Sequence, residues 1–231
     1  MKLTDGNDSF YALENTQKLP DSILSGKTFY FLGSSVTYGA GAMAEGMGDF
    51  IAKRNGCVCI KEAVSSTTLA NISENSYVAR LERYVNSKDR VEHLDAFICQ
   101  LSTNDRSRKD SFGVITADEV KNLTELDNTT TFGAIEYIIA LCKKTWNCPI
   151  VFYTGTYFES DTYEIMISAL KQIAKKWNVE VLDLFYDKAF NAISKEMYDL
   201  YMLDPVHPKR AGYRDWWVPA FEDCLKDLLS E

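Results

Sequence analysis

A serine hydroxyl attacks a carbonyl only when a base takes its proton, and that base is most often histidine. The chain has two histidines. His207 lies in Asp204-Pro205-Val206-His207-Pro208, a short loop bounded by prolines. An aspartate three residues earlier can turn back and accept the imidazole Nδ1–H, which fixes the tautomer and stabilises the imidazolium. Ser35 ends the block Gly33-Ser34-Ser35, directly after an apolar run. A helix beginning there would present free backbone N–H groups to an anion. Together, Ser35, His207 and Asp204 are the parts of an acyl-transfer relay. His93 sits in a polar stretch and reads as a surface or boundary residue.

The tetrahedral intermediate of acyl transfer also needs hydrogen-bond donors aimed at its oxyanion. Three candidates follow apolar runs: the Ser35 N–H, the Ser66 N–H in Ser65-Ser66-Thr67-Thr68, and the Asn104 side-chain amide in Ser102-Thr103-Asn104-Asp105. Tyr38, Tyr157, Phe158, Tyr213 and Trp216 either line a substrate pocket or pack in the core.

These residues need a frame that brings distant stretches together. Five short apolar runs supply it: 27–32, 57–60 continuing to 63–64, 96–101, 150–154 and 179–185. Their nearly continuous apolar character suits strands covered on both faces. Between them, 132–146 and 163–177 carry apolar residues at helical spacing and end in basic residues, as helix C-termini favour. A last helical stretch, 208–229, starts at Pro208 and should kink or break at Pro219. Alternating strands and helices predict one α/β domain, an α/β/α sandwich around a parallel sheet of about five strands. Residues 1–25 form an irregular lead-in, and 106–130 is a long polar segment that either caps the site or covers the surface. In such sheets ligands bind beyond the C-terminal strand ends, where three of the four blocks fall, the fourth lying in a late loop near the C-terminus.

The four blocks, in this order, resemble those of the SGNH hydrolase (GDSL-like lipase/esterase) family. Gly33-Ser34-Ser35 resembles its Gly-Asp-Ser block, Ser65-Ser66-Thr67-Thr68 its glycine block, and Ser102-Thr103-Asn104-Asp105 its Gly-x-Asn-Asp block. Asp204-Pro205-Val206-His207 matches its Asp-x-x-His block in full. The resemblance covers about residues 27 to 229. It implies a flavodoxin-like strand order, Ser35 as nucleophile, His207 as general base and Asp204 as its orienting acid. It further implies Ser35, Ser66 and Asn104 as the oxyanion hole, an ester as substrate, and no metal or organic cofactor; the serines at 66 and 102 and the acidic character favour a small acyl group, such as acetyl on a sugar. The sequence departs from the pattern at Ser34, Ser66 and Ser102, where the family has aspartate, glycine and glycine.

Composition narrows the other classes. Apolar residues are 46% of the 231, enough for a large core, and the net charge of −8 disfavours nucleic acid or an anionic membrane as partner. No run reaches the ~18 apolar residues of a membrane span. The polar, acidic N-terminus lacks a secretion signal's apolar core, which points to the cytoplasm. The six cysteines form no CxxC pair and read as reduced core thiols. A catalytically impaired carbohydrate-binding or scaffold protein of the same fold is one alternative, motivated by the serine-for-glycine departures. A nucleotide-binding protein using Gly39-Ala40-Gly41, with Glu62 as ribose acid, is another. Its first glycine, however, should stand directly at the strand end, and the strand stops at Gly33.

Overall fold

The computed structural model describes residues 5–230. Five parallel strands, β1 (Thr28–Gly33), β2 (Val58–Ala63), β3 (Ala96–Gln100), β4 (Ile150–Tyr153) and β5 (Glu180–Leu182), form one sheet in the order β2-β1-β3-β4-β5. This is the flavodoxin-like doubly wound order. The β2 run, expected in two pieces, is one strand. β5 is shorter than the 179–185 run because Asp183 leaves the ladder: its carboxylate accepts the Thr154 hydroxyl and the Tyr186 N–H.

The helices are α1 (Ser35–Tyr38), α2 (Met47–Asn55), α3 (Tyr77–Val85), α4 (Thr131–Thr145), α5 (Asp161–Trp177), α6 (Lys195–Tyr201), α7 (Arg210–Gly212) and α8 (Val218–Ser230). Alternation along the strands divides them into two layers. Tyr30, Leu32, Phe97, Cys99 and Phe152 pack with α3, α4 and α5. Phe29, Phe31, Ile98 and Tyr153 pack with α2, α8 and the turn before α8. Local signals agree with this packing: the Thr130 and Ser160 hydroxyls cap α4 and α5 by accepting the Gly133 and Tyr163 N–H groups.

The C-terminal stretch departs from the predicted helix in two places. Pro208 sits before the helical turns, in an isolated antiparallel bridge with Met202. The break expected from Pro219 takes the form of a π turn, Tyr213–Trp217, closed by the Val218 N–H on the Tyr213 carbonyl. A proline cannot donate to the carbonyl four residues back, and one wide turn absorbs that loss without ending the helix.

The lead-in contains two single-turn 3-10 helices, Ser9–Tyr11 and Leu13–Asn15. The polar 106–130 segment runs mostly over α4 and α5: Phe112 packs on Phe132 at 5.3 Å, and Thr116 donates to the buried Glu136. Only its start, at Arg106, borders the cavity described below. Among the described residues, no helix is long and apolar enough to cross a membrane. All six cysteines are free, and each is buried or half-buried.

Candidate active site

β1 and β3 are paired through Leu32 and Cys99, and β1 and β2 through Gly33 and Ala63, so their C-terminal ends form one edge. Ser35 follows β1 by two residues, Ser66 follows β2 by three, and Asn104 follows β3 by four. The sheet therefore delivers three of the four sequence blocks to one edge.

Ser35 is the first residue of α1, a helix of four residues that Gly39 ends in the left-handed conformation. As the first helical residue, its N–H has no intrahelical acceptor. The turn is held from below by Gln100, a buried amide at the end of β3. The Gln100 Oε1 accepts the Ser34 N–H at 2.9 Å, the Thr37 N–H at 3.3 Å and the Thr37 hydroxyl at 2.8 Å. The Tyr213 hydroxyl, donated to the Val36 carbonyl at 2.6 Å, holds it from the C-terminal side. Ser34, which replaces the family aspartate, is fully buried within this arrangement and faces no substrate space.

His207 comes from a loop pinned at both ends. The Leu203 N–H donates to the His207 carbonyl at 2.9 Å, and the Lys209 N–H to the Tyr201 carbonyl at 2.7 Å. Asp204 Oδ1 accepts the N–H groups of Val206 and His207 at 2.8 and 2.9 Å, an Asx-type turn that the proline-flanked sequence favours. The same carboxylate lies 2.8 Å (Oδ2) and 3.0 Å (Oδ1) from His207 Nδ1. With the Nδ1–H donated to that carboxylate as a hydrogen bond, Nε2 is left as an acceptor, and it lies 2.8 Å from Ser35 Oγ. Partial burial works against the Asp204 carboxylate, but the two backbone N–H groups and the imidazole outweigh it and hold the carboxyl below the usual aspartate range.

Asn104 Nδ2 donates to the Thr67 carbonyl at 2.9 Å, leaving its second amide hydrogen for another acceptor. Ser102, the second replacement of glycine, is buried and donates to the same Thr67 carbonyl at 3.2 Å. Its side chain thus braces the turn and does not fill the substrate space. Ser66 has φ 63°, the left-handed region that favours glycine. It is exposed, and its N–H donates to no described residue. The backbone conformation that a family glycine would adopt is therefore present, with serine bearing its cost.

The residues that align these parts carried little signal in the sequence. Arg80, only 2% exposed, reaches from α3 to the Gly33 carbonyl at 2.7 Å, the Glu62 carbonyl at 2.8 Å and Thr67 Oγ1 at 3.3 Å, and forms an ion pair with Glu62 at 3.2 Å. One cation thereby ties the β1 end, the β2 end and the Thr67 turn together. Asp105, fully buried, accepts the Leu69 N–H at 2.8 Å and the Thr131 hydroxyl at 3.2 Å. Burial pushes its carboxyl above the usual aspartate range, against the pull of those donors. The lead-in contributes Asn7, which donates to the Gly41 carbonyl at 2.9 Å and accepts the Arg210 N–H at 3.1 Å. Only the apolar spacing of Tyr77, Val78 and Leu81 around Arg80 could have flagged any of these, by marking its side of α3 as inward-facing.

The glycines of the nucleotide alternative serve the same edge. A Cβ on Gly41 would come within 2.5 Å of the Pro208 carbonyl and 3.1 Å of His207 Cβ, so Gly41 lets the histidine loop close on the serine turn. The carboxylate of Glu62, the supposed ribose acid, is the one paired with Arg80. His93 is 77% exposed and lies 3.6 Å from Asp95, remote in the fold from the strand-end edge. Tyr213 and Trp216 are core residues, Tyr38 and Tyr157 are exposed, and Phe158 borders a cavity beside His207.

A five-stranded flavodoxin-like sheet with a serine, histidine and acid at its C-terminal edge defines a class of α/β hydrolytic folds, and the comparisons narrow it. Residues 31–214 match the model of the GDSL-like Lipase/Acylhydrolase family. The chain belongs to this family. No curated protein matches it. Solved structures share the fold. A Lactobacillus plantarum protein is 20% identical, with TM-score 0.67, over 88% of this chain and 98% of that one. A family two carbohydrate esterase from Clostridium thermocellum, solved with cellohexaose, is 15% identical, with TM-score 0.59, over 92% of this chain and 67% of that one. The M. smegmatis aryl esterase, solved in an inhibitor-bound form, is 13% identical, with TM-score 0.54, over 88% of this chain and 100% of that one.

Proposed function

We propose that the protein is a serine esterase that cleaves small carboxylic esters through an acyl-enzyme on Ser35. The observation that carries this reading is the continuous chain of hydrogen bonds from Ser35 Oγ to His207 Nε2 and from His207 Nδ1 to Asp204. In the first step His207 Nε2 takes the Ser35 proton as Oγ attacks the ester carbonyl. The tetrahedral intermediate collapses, and His207 gives that proton to the leaving alcohol. Water, deprotonated by the same imidazole, then releases the acid and regenerates Ser35. Asp204 keeps the imidazole in the required tautomer and stabilises its cation. The Ser35 N–H, the Ser66 N–H and the second amide hydrogen of Asn104 stabilise the oxyanion, each by roughly 3 kcal/mol in such sites. A short acyl group, such as acetyl on a carbohydrate or another small alcohol, is the substrate this reading favours. The similarity in fold to a carbohydrate esterase and an aryl esterase accords with it.

The test is hydrolysis of 4-nitrophenyl acetate, together with labelling by an alkyl fluorophosphonate. Wild type should turn over the ester and gain the mass of the phosphonyl group on Ser35. Ser35→Ala should lose at least about 10⁴-fold in kcat, take up no label, and keep the wild-type melting temperature. An equal rate in Ser35→Ala, or labelling elsewhere, overturns the assignment.

A further inference from the structure

Beside His207 lies a cavity of about 440 Å³ bordered by Arg106, Phe158, Glu159, Val206 and the Asp204 side of the loop. Arg106 stands two residues beyond Asn104, on the same 3-10 run, Asn104–Ser111. Its guanidinium lies over the Phe158 ring, 5.2 Å from the ring centre, and that ring is itself packed on Tyr163 and Phe185. A cation resting on a fixed aromatic face is held in one orientation while its N–H edges stay open.

The other arginines single this one out. Of the eight in the chain, seven donate a side-chain hydrogen bond to a described residue. Arg106 alone donates none among the described residues, and no carboxylate lies within ion-pair distance of it. In a chain of net charge −8, potential partners are plentiful. Among the described residues, the one guanidinium without a hydrogen-bond or carboxylate partner borders the cavity that also holds His207.

We propose that Arg106 binds an anionic group, a carboxylate or a phosphate, on the ester that this site hydrolyses. The inference rests on the esterase reading and narrows its substrate class. Guanidinium is charged at every working pH and matches both groups in a two-pronged hydrogen bond. Glu159 shares the cavity without pairing to Arg106 and opposes the anion at longer range, so its neutralisation should favour the charged substrate.

Two measurements test this. The first is acetate release by wild type from the acetyl esters of glycerol, lactate and glycerol 3-phosphate, which are neutral, carboxylate and phosphate arms. Mono-4-nitrophenyl succinate against 4-nitrophenyl acetate places the charge on the acyl side. At least one anionic ester should exceed its neutral counterpart in kcat/KM by about 10-fold or more, the worth of a charge-assisted hydrogen bond. Arg106→Gln should cut the charged ester about 10-fold more than the neutral one, Arg106→Lys should recover part of that loss, and Glu159→Gln should raise the charged ester. Equal rates for charged and neutral esters, or equal losses in Arg106→Gln, overturn the proposal. The second is calorimetric binding of the same esters to Ser35→Ala, which needs no turnover. Should wild type hydrolyse none of them, the esterase reading fails. Anion binding that Arg106→Gln removes would then still establish the site, and its absence would overturn it.

Discussion

The two sides of the Ser35–His207 contact are built from different material. On the serine side, every group that shapes the turn lies inside the protein: Gln100, Arg80 and Asp105 are 2%, 2% and 0% exposed. Their partners are backbone N–H and carbonyl groups at the ends of β1 and β2 and in the turns beyond them. On the histidine side, the Asp204 side chain is 45% exposed and that of His207 26%. The loop holds its shape through its own short-range hydrogen bonds and through contact with Gly41. The two carboxylates show the contrast most directly. Partly solvated Asp204 stays readily ionised, whereas buried Asp105 is pushed toward its protonated form. The contrast predicts that removing a polar group from the histidine loop costs activity with little loss of stability, whereas removing one of the buried groups behind the serine turn costs both.

The sharpest way to break this comparison is Asp204→Asn. An asparagine oxygen can still accept the Val206 and His207 N–H groups, so the turn is kept. Its amide, however, cannot accept the Nδ1 proton as a carboxylate does, and the imidazole is left in the wrong tautomer. A fall in kcat of about 10³- to 10⁴-fold is expected, the scale on which an orienting aspartate acts in serine hydrolases. The melting temperature at neutral pH should fall only slightly, by the part of the stability that the lowered Asp204 carboxyl supplies. The pH dependence follows from the lowered Asp204 carboxyl. The stability it contributes is present above the ordinary aspartate pKa of about 3.9 and is lost as pH falls through its lower folded value. The acid-side loss of stability measured by calorimetry should therefore be shallower in Asp204→Asn. A large drop in melting temperature at pH 7 would show that the loop is as integral to the fold as the strand ends.

Arg80→Met makes the opposite cut. It removes a buried cation and leaves the Gly33 and Glu62 carbonyls without their donor. The Glu62 side chain is 34% exposed, so the cost falls mainly on the buried Gly33 carbonyl left without a donor, about 1–3 kcal/mol, and urea unfolding should show a loss of about that size. Activity should fall as well, because Gly33 precedes the serine turn and Thr67 accepts the Asn104 amide. A variant that keeps full stability but loses activity would show that Arg80 acts on the site alone.

This division also explains what could be read from the sequence. β1, β3 and β4 were legible because each is a nearly continuous apolar run, β2 only in pieces because Lys61 and Glu62 interrupt it, and the Asp204–His207 pairing because a three-residue offset in a proline turn is a local geometry. Arg80, Gln100 and Asn7 were not. Their partners lie 47, 66 and 203 residues away, and a polar side chain in a helix, strand or lead-in has no periodicity that announces a distant backbone donor or acceptor. The π turn was half legible. Pro219 predicts a defect, but whether the helix kinks, stops or widens depends on the packing of Trp216 and Trp217 against the sheet face.

Ser66 tests the smallest effect and the one on which the departures from the family pattern turn. At φ 63° a serine bears a conformational cost of about 1 kcal/mol that glycine largely avoids. Ser66→Gly should therefore raise stability by up to about 1 kcal/mol, and kcat should stay within about 3-fold of wild type because the backbone N–H is retained. Ser66→Ala keeps both the N–H and the conformational cost while removing the hydroxyl, so it should match wild type in both. If both variants lose 10-fold or more in kcat, the Ser66 hydroxyl itself takes part in the reaction, and the oxyanion site contains a donor that glycine-bearing relatives lack.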